Sequence, residues 1–73
     1  MEAWEQELKN NLHLFEPVKK VWQPDEMAIA YRVYNGHYGT ALRDTGCGSC
    51  RRSVLAHCLK IADQFRSEGS LNQ

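Results

Sequence analysis

Seventy-three residues with nine basic and nine acidic side chains give one small domain of zero formal net charge. A chain this short buries only about 60% of its unfolded surface, so a large enzyme core is excluded and support from a metal, a partner or a second copy is expected. The charge balance excludes a global pull toward nucleic acid or a membrane surface, but the charges are unevenly spread. Residues 1–16 carry Glu2, Glu5, Glu7 and Glu16 against Lys9, whereas residues 43–52 carry Arg43, Arg51 and Arg52 against Asp44. No apolar run approaches the ~20 residues of a membrane span. The acidic, amphipathic start lacks a signal-peptide apolar region. With three cysteines, an odd number that suits a reducing compartment, these features predict a cytoplasmic protein, or one assembled in the cytoplasm.

Trp4, Leu8, Leu12 and Phe15 recur with helical spacing and predict a helix over about 3–15. Glu5 and Lys9 form an i,i+4 pair in the favourable order, and Pro17 should stop the helix. Residues 17–22 read as a short turn or packed connector bearing Trp22. A second helix is predicted over 24–35: Pro24 lies in its first turn and Asp25 and Glu26 face the positive end of its dipole. Met27, Ala30, Tyr31 and Tyr34 share a face, and Gly36 serves as the C-cap. A rival pattern runs through the same residues. Asn35-Gly36 is a two-residue hairpin signal and Ile29, Tyr31 and Val33 alternate, which would give an α+β fold with a hairpin over 28–42. Four of the five glycines (Gly36, Gly39, Gly46, Gly48) fall in 36–48, which reads as loop. The last helix is predicted over 49–67, with Ser49 as N-cap, a broad apolar face from Val54 to Phe65, and a stop at Glu68-Gly69-Ser70, leaving 68–73 as a frayed tail. The expected fold class is all-α, three helices around one core.

The chemistry concentrates in Thr45-Gly46-Cys47-Gly48-Ser49-Cys50-Arg51-Arg52. A C-x-x-C at a helix start joins two thiols to unpaired backbone N–H groups and a positive dipole end. Arg51 and Arg52 are cations where cations are disfavoured, and a broken local rule of this kind marks a candidate site. They would hold an anion or a partner's carboxylate, or lower a thiol pKa. The plain alternative is that they reach acidic residues elsewhere, such as the Glu-rich first helix. C-x-x-C is also half of a zinc site. Cys47 and Cys50 are the candidate ligands, with His37 the best loop residue to join them, Asp44 the next, and a second chain the other source. Cys58 is about 12 Å further along an ideal helix and reads as core. A thiol-redox role is the third reading, although no α/β unit of the kind that carries such motifs is visible.

Tyr31, Tyr34 and Tyr38 are spaced as one helix face and, with Trp22, are candidate partner contacts; half-buried core is the plainer reading of that stripe. From Tyr31 to Leu59 the chain resembles small accessory proteins of tailed bacteriophages. The resemblance is carried by Tyr31, Tyr34, Asn35, Gly39 and the run Thr45–Arg52, about 40% of the chain. It implies a phage accessory protein, in the virion or acting on a host complex, and no catalytic residue comes with it. The expectation is therefore a non-enzymatic interaction protein that docks a protein partner or a second copy of itself. The alternatives are a zinc-stabilised nucleic-acid-binding module and a thiol-redox protein.

Overall fold

A computed structural model describes residues 2–16, 19 and 21–71. Three helices form: α1 Ala3–Asn10, α2 Pro24–Tyr38 and α3 Gly48–Leu71, with a 3-10 turn at Leu12–Leu14 after α1. No strand occurs among the described residues, so the 28–42 hairpin is not formed and the fold is a small all-α domain.

Helix α1 starts on a capping box, in which the Glu2 N–H donates to Glu5 Oε1 at 3.0 Å. It ends earlier than the 3–15 stripe predicts. Asn11 turns its side-chain amide back to Glu7 O at 2.9 Å, which satisfies an end carbonyl and releases the chain into the 3-10 turn. Phe15 is still fully buried, so the predicted stripe faces the core although its helix breaks. The expected 17–22 connector includes Pro17, Val18 and Lys20, which lie outside the described residues. Of the remainder, Trp22 packs on Phe15 with ring centroids 5.5 Å apart and carries the Lys19 ammonium 5.4 Å above it.

Helix α2 begins as expected, with Pro24 in its first turn and the Gln23 N–H donating to Glu26 Oε1 at 2.8 Å. It continues through the predicted stop at Gly36 and ends at Gly39, which adopts the left-handed conformation (φ 69°) while the Thr40 N–H closes on Asn35 O at 3.0 Å. Gly36 serves packing instead: a methyl group there would fall within 2.7 Å of Trp4 Cδ1, so its bare Cα lets α1 lie close on α2. Helix α3 extends to Leu71, past the predicted stop at Glu68-Gly69-Ser70. Twenty-four residues span about 36 Å, close to the 39 Å longest dimension of the molecule.

The core lies between α2 and α3 and is closed by α1 and the turn behind it. Leu8 and Phe15 meet Met27, Ala30 and Val33 of α2, and Val54, Cys58, Ile61 and Ala62 of α3 complete it. The Cys58 thiol donates to Ala30 O at 3.2 Å, a close approach of the two long helices. Burial pushes this thiol up to about 12, and Cys58 is a core residue as its apolar neighbours in sequence predict.

Candidate functional site at the start of the third helix

Residues 40–47 have no regular secondary structure, yet both ends of the segment are fastened. The Asn35 side chain donates to Leu42 O (2.9 Å) and accepts from the Leu42 N–H (3.0 Å) and the Thr40 hydroxyl (2.8 Å). At the other end Arg51 forms a two-pronged pair with Asp44, Nε to Oδ1 at 2.8 Å and Nη2 to Oδ2 at 2.9 Å. Asp44 Oδ1 also accepts from the Gly46 N–H at 3.0 Å, which folds the chain through a left-handed Gly46 (φ 82°). This pairing holds the Asp44 carboxyl below its ordinary range, through the Arg51 hydrogen bonds first and the Gly46 amide second. The partner of Arg51 is thus the neighbouring loop aspartate and not the first helix.

Helix α3 begins one residue before the predicted Ser49 cap. Cys47 is the capping residue: its carbonyl accepts from the Arg51 N–H at 3.0 Å, and its sulfur accepts from the Cys50 N–H at 3.4 Å. The Ser49 hydroxyl lies 3.3 Å from the same sulfur. A sulfur takes the place of the usual capping oxygen and stabilises one orphan amide of the first turn. The neighbouring Cys50 thiol, then Ser49 and the Cys50 amide, bring the Cys47 pKa down to about 7, while that of Cys50 is raised chiefly by Cys47. Both cysteines are free thiols; Cys47 is half-buried and Cys50 exposed. The Arg52 guanidinium folds back over this tip, 4.0 Å from where a Gly48 side chain would begin.

The fastened loop, α2 and the first two turns of α3 enclose an open groove of about 630 Å3. Tyr31, Tyr34 and Val54 form its floor, Leu42 one wall, and Arg43, Cys50 and Ser53 its rim. Tyr31 is buried and Tyr34 half-buried, while Leu42 is 47% exposed. Burial raises the Tyr31 phenol above its ordinary value. Among the described residues neither Arg43 nor Arg52 has an acidic partner (the ion pairs there being those of Lys19, Arg32, Arg51 and Arg66).

Two of the predicted contacts lie elsewhere. Trp22 packs beside Phe15, at the far side of the core from the cysteines' helix tip. His37 is in α2, not in a loop, and its ring meets Trp4 at 4.9 Å and Tyr38 at 4.7 Å, both edge-on. Cys47, Cys50 and His37 are not gathered into a three-ligand group among the described residues. Tyr34 and Tyr38 do meet, their rings tilted at 47° with centroids 4.7 Å apart, and both meet His57 edge-on. That ring run ties the three helices together beside the groove.

Asn35 and Leu42 are not marked as site residues by spacing, and Asp44, which the sequence marks only as a further loop ligand, pairs with Arg51 instead. A signal existed for Asp44, which is the acidic residue nearest to three arginines. No family model matches the chain, and neither does any curated protein or solved structure.

Proposed function

We propose that this chain is a non-enzymatic docking module. Its groove takes an apolar side chain of a protein partner over Tyr31, Tyr34, Leu42 and Val54, and Arg43 and Arg52 meet a carboxylate beside that anchor. The observation that carries the reading is a groove held open by side-chain bonds at both ends, with an aromatic floor and a lining cation, Arg43, that lacks a carboxylate partner among the described residues, as does Arg52 at the neighbouring helix tip. A preformed apolar slot with a charged rim is the general form of a small protein-recognition site. Arg52 sits in the first turn of α3, where the dipole already disfavours positive charge, so a carboxylate that reaches it relieves a repulsion as well as gaining a bond. That chemistry favours an acidic, apolar segment over nucleic acid, which would call on a wider basic surface. The bacteriophage setting, in the virion or on a host complex in the cytoplasm, rests on the resemblance of residues 31–59 alone.

The test is site-directed photo-crosslinking in the cell that expresses the protein. A photoreactive residue replacing Leu42 should yield one discrete protein adduct, and the same residue replacing exposed Ala28 should not. Arg43→Glu should abolish the adduct while the helical circular dichroism stays unchanged. Once the partner is in hand, Arg43→Ala or Arg52→Ala should raise Kd by up to about fivefold each, the size of an exposed rim ion pair. Equal adduct yields from positions 42 and 28 would reject the groove as the docking surface.

A further inference from the structure

From the placement of Cys47 and Cys50 we infer that they are a reversible dithiol–disulfide couple, in which Cys47 is the attacking sulfur, Cys50 the resolving one, and an external disulfide the co-reactant. This inference is independent of the docking reading.

Three observations carry it. The sulfurs lie on one turn: Cys47 caps α3 and its Sγ accepts the Cys50 N–H at 3.4 Å. Residues three apart at a helix start fall within the Cα separation, roughly 4.4–6.8 Å, that a disulfide spans. Both thiols are open to solvent to some degree, Cys50 the more so, and neither is in a disulfide. The two sulfurs are also unequal. Cys47 faces the amide end of α3, with the Cys50 N–H donating to its sulfur and the Ser49 hydroxyl 3.3 Å away, an arrangement that favours the thiolate, whereas the Cys47 sulfur beside Cys50 disfavours the Cys50 thiolate. The nucleophile in disulfide exchange is the thiolate, so the asymmetry sets the order of attack. Cys58, fully buried and bonded to Ala30 O, stays outside the reaction.

The exchange balances without a further reagent. Cys47 Sγ, as thiolate, attacks one sulfur of the external disulfide. A mixed disulfide forms, the external S–S bond breaks, and the displaced thiolate leaves with the electron pair and takes a proton from water. Cys50 then gives its proton to water and attacks Cys47 Sγ. The Cys47–Cys50 bond forms, the mixed disulfide breaks, and the second external thiol departs. Two cysteine thiols are oxidised and one external disulfide is reduced to two thiols.

The experiment treats the reduced full chain with oxidised glutathione and follows intact mass and fragmentation. Wild type should lose the mass of two hydrogens, with the link mapped to Cys47–Cys50 and Cys58 unmodified. Cys50→Ser should stop at one glutathione on Cys47. Cys47→Ser should acquire glutathione several-fold more slowly. Wild type carrying two glutathiones and no internal link would overturn the couple, and that arm depends on no variant folding. Equal rates for the two single variants would overturn the order of attack. A repeat with zinc alone separates the metal reading: thiols that become fully shielded by stoichiometric zinc, with two chains per ion, would reassign the pair to metal binding.

Discussion

Cys47 is the residue whose chemistry is most altered by its surroundings. With a pKa of about 7, about half of it is thiolate at neutral pH, roughly fifteenfold more than for an ordinary cysteine near 8.5. Its intrinsic nucleophilicity falls with its basicity, so the net gain in attack rate is only about threefold. A rate difference of that size is measurable but small, and the pH dependence is the sharper discriminator. Iodoacetamide labelling of Cys47 should rise with a midpoint near pH 7 and that of Cys50 well above it; a shared midpoint in the ordinary thiol range would remove the cap as the cause. The two titrate as a coupled pair, so the midpoints belong to the pair. Folding lowers the proton affinity of Cys47, and its contribution to stability is therefore complete above the ordinary thiol range and lost as pH falls through about 7. The raised pKa of Cys50 acts in the opposite sense, its contribution fading as pH rises through its folded value. Asp44 follows the sign of Cys47 in the acid range: its lowered pKa gives a contribution present above the ordinary carboxyl range and lost as pH falls below it. The groove should loosen in acid, before the core does.

At the scale of elements, Gly36 shows what periodicity conveys and what it omits. Apolar spacing and N-terminal signals placed all three helices and their starts to within a residue or two. Their ends were less legible. Asn35-Gly36 is compatible with a hairpin, a helix stop or an uninterrupted helix, and the choice is made by a residue thirty-two positions away. Trp4 needs a side chain without Cβ opposite it, and Gly39 is then left to supply the positive φ that ends α2. The stop of α1 was hidden for a similar reason, since Asn11 ends it through a side-chain bond that apolar spacing does not register. Within the site, the cysteine turn was visible as a motif, whereas the groove was not, because its loop is fastened by separate hydrogen bonds, Asn35 to Leu42 and Asp44 to Arg51, that spacing does not register. Gly36→Ala tests the packing argument. Alanine gains about 1 kcal/mol of helix propensity but drives a methyl group into Trp4, and overpacking costs about 1–3 kcal/mol. The clash involves the root of the indole and not a flexible tip, so the loss should win. A net destabilisation of up to about 2 kcal/mol is expected from denaturant titration, and the double variant with Trp4→Gly, which also removes the Trp4 Cβ at the contact, should remove the clash term. An equally stable or more stable Gly36→Ala would show that α1 is free to shift.

Across the whole molecule, α3 joins two tasks at its two ends. Its first turn builds the site through Arg51 and Asp44; its last third closes the fold through Arg66, which donates to Leu12 O at 2.8 Å and pairs with Glu16 at 3.1 Å. Fifteen residues separate the two arginines, about 22 Å along the helix, which is beyond the distance at which substitutions ordinarily couple. The two bonds also differ in kind. Arg51–Asp44 is a surface pair between the first turn of α3 and the loop before it, and such pairs contribute at most about 1 kcal/mol. Arg66 satisfies a part-buried carbonyl fifty-four positions away, and leaving such an acceptor unpaired costs about 1–3 kcal/mol. Arg66→Ala should therefore lower Tm by roughly 6–20 °C for a domain of this size, while the Cys47 labelling midpoint stays put. Arg51→Ala should do the converse, leaving Tm within a few degrees and disordering the loop, seen as faster proteolysis between Gly39 and Gly46. The double variant should show the sum of both effects. A labelling midpoint that moved with Arg66→Ala would mean that the two ends of α3 communicate, and the site could then no longer be treated as a local construction on a separately stabilised bundle.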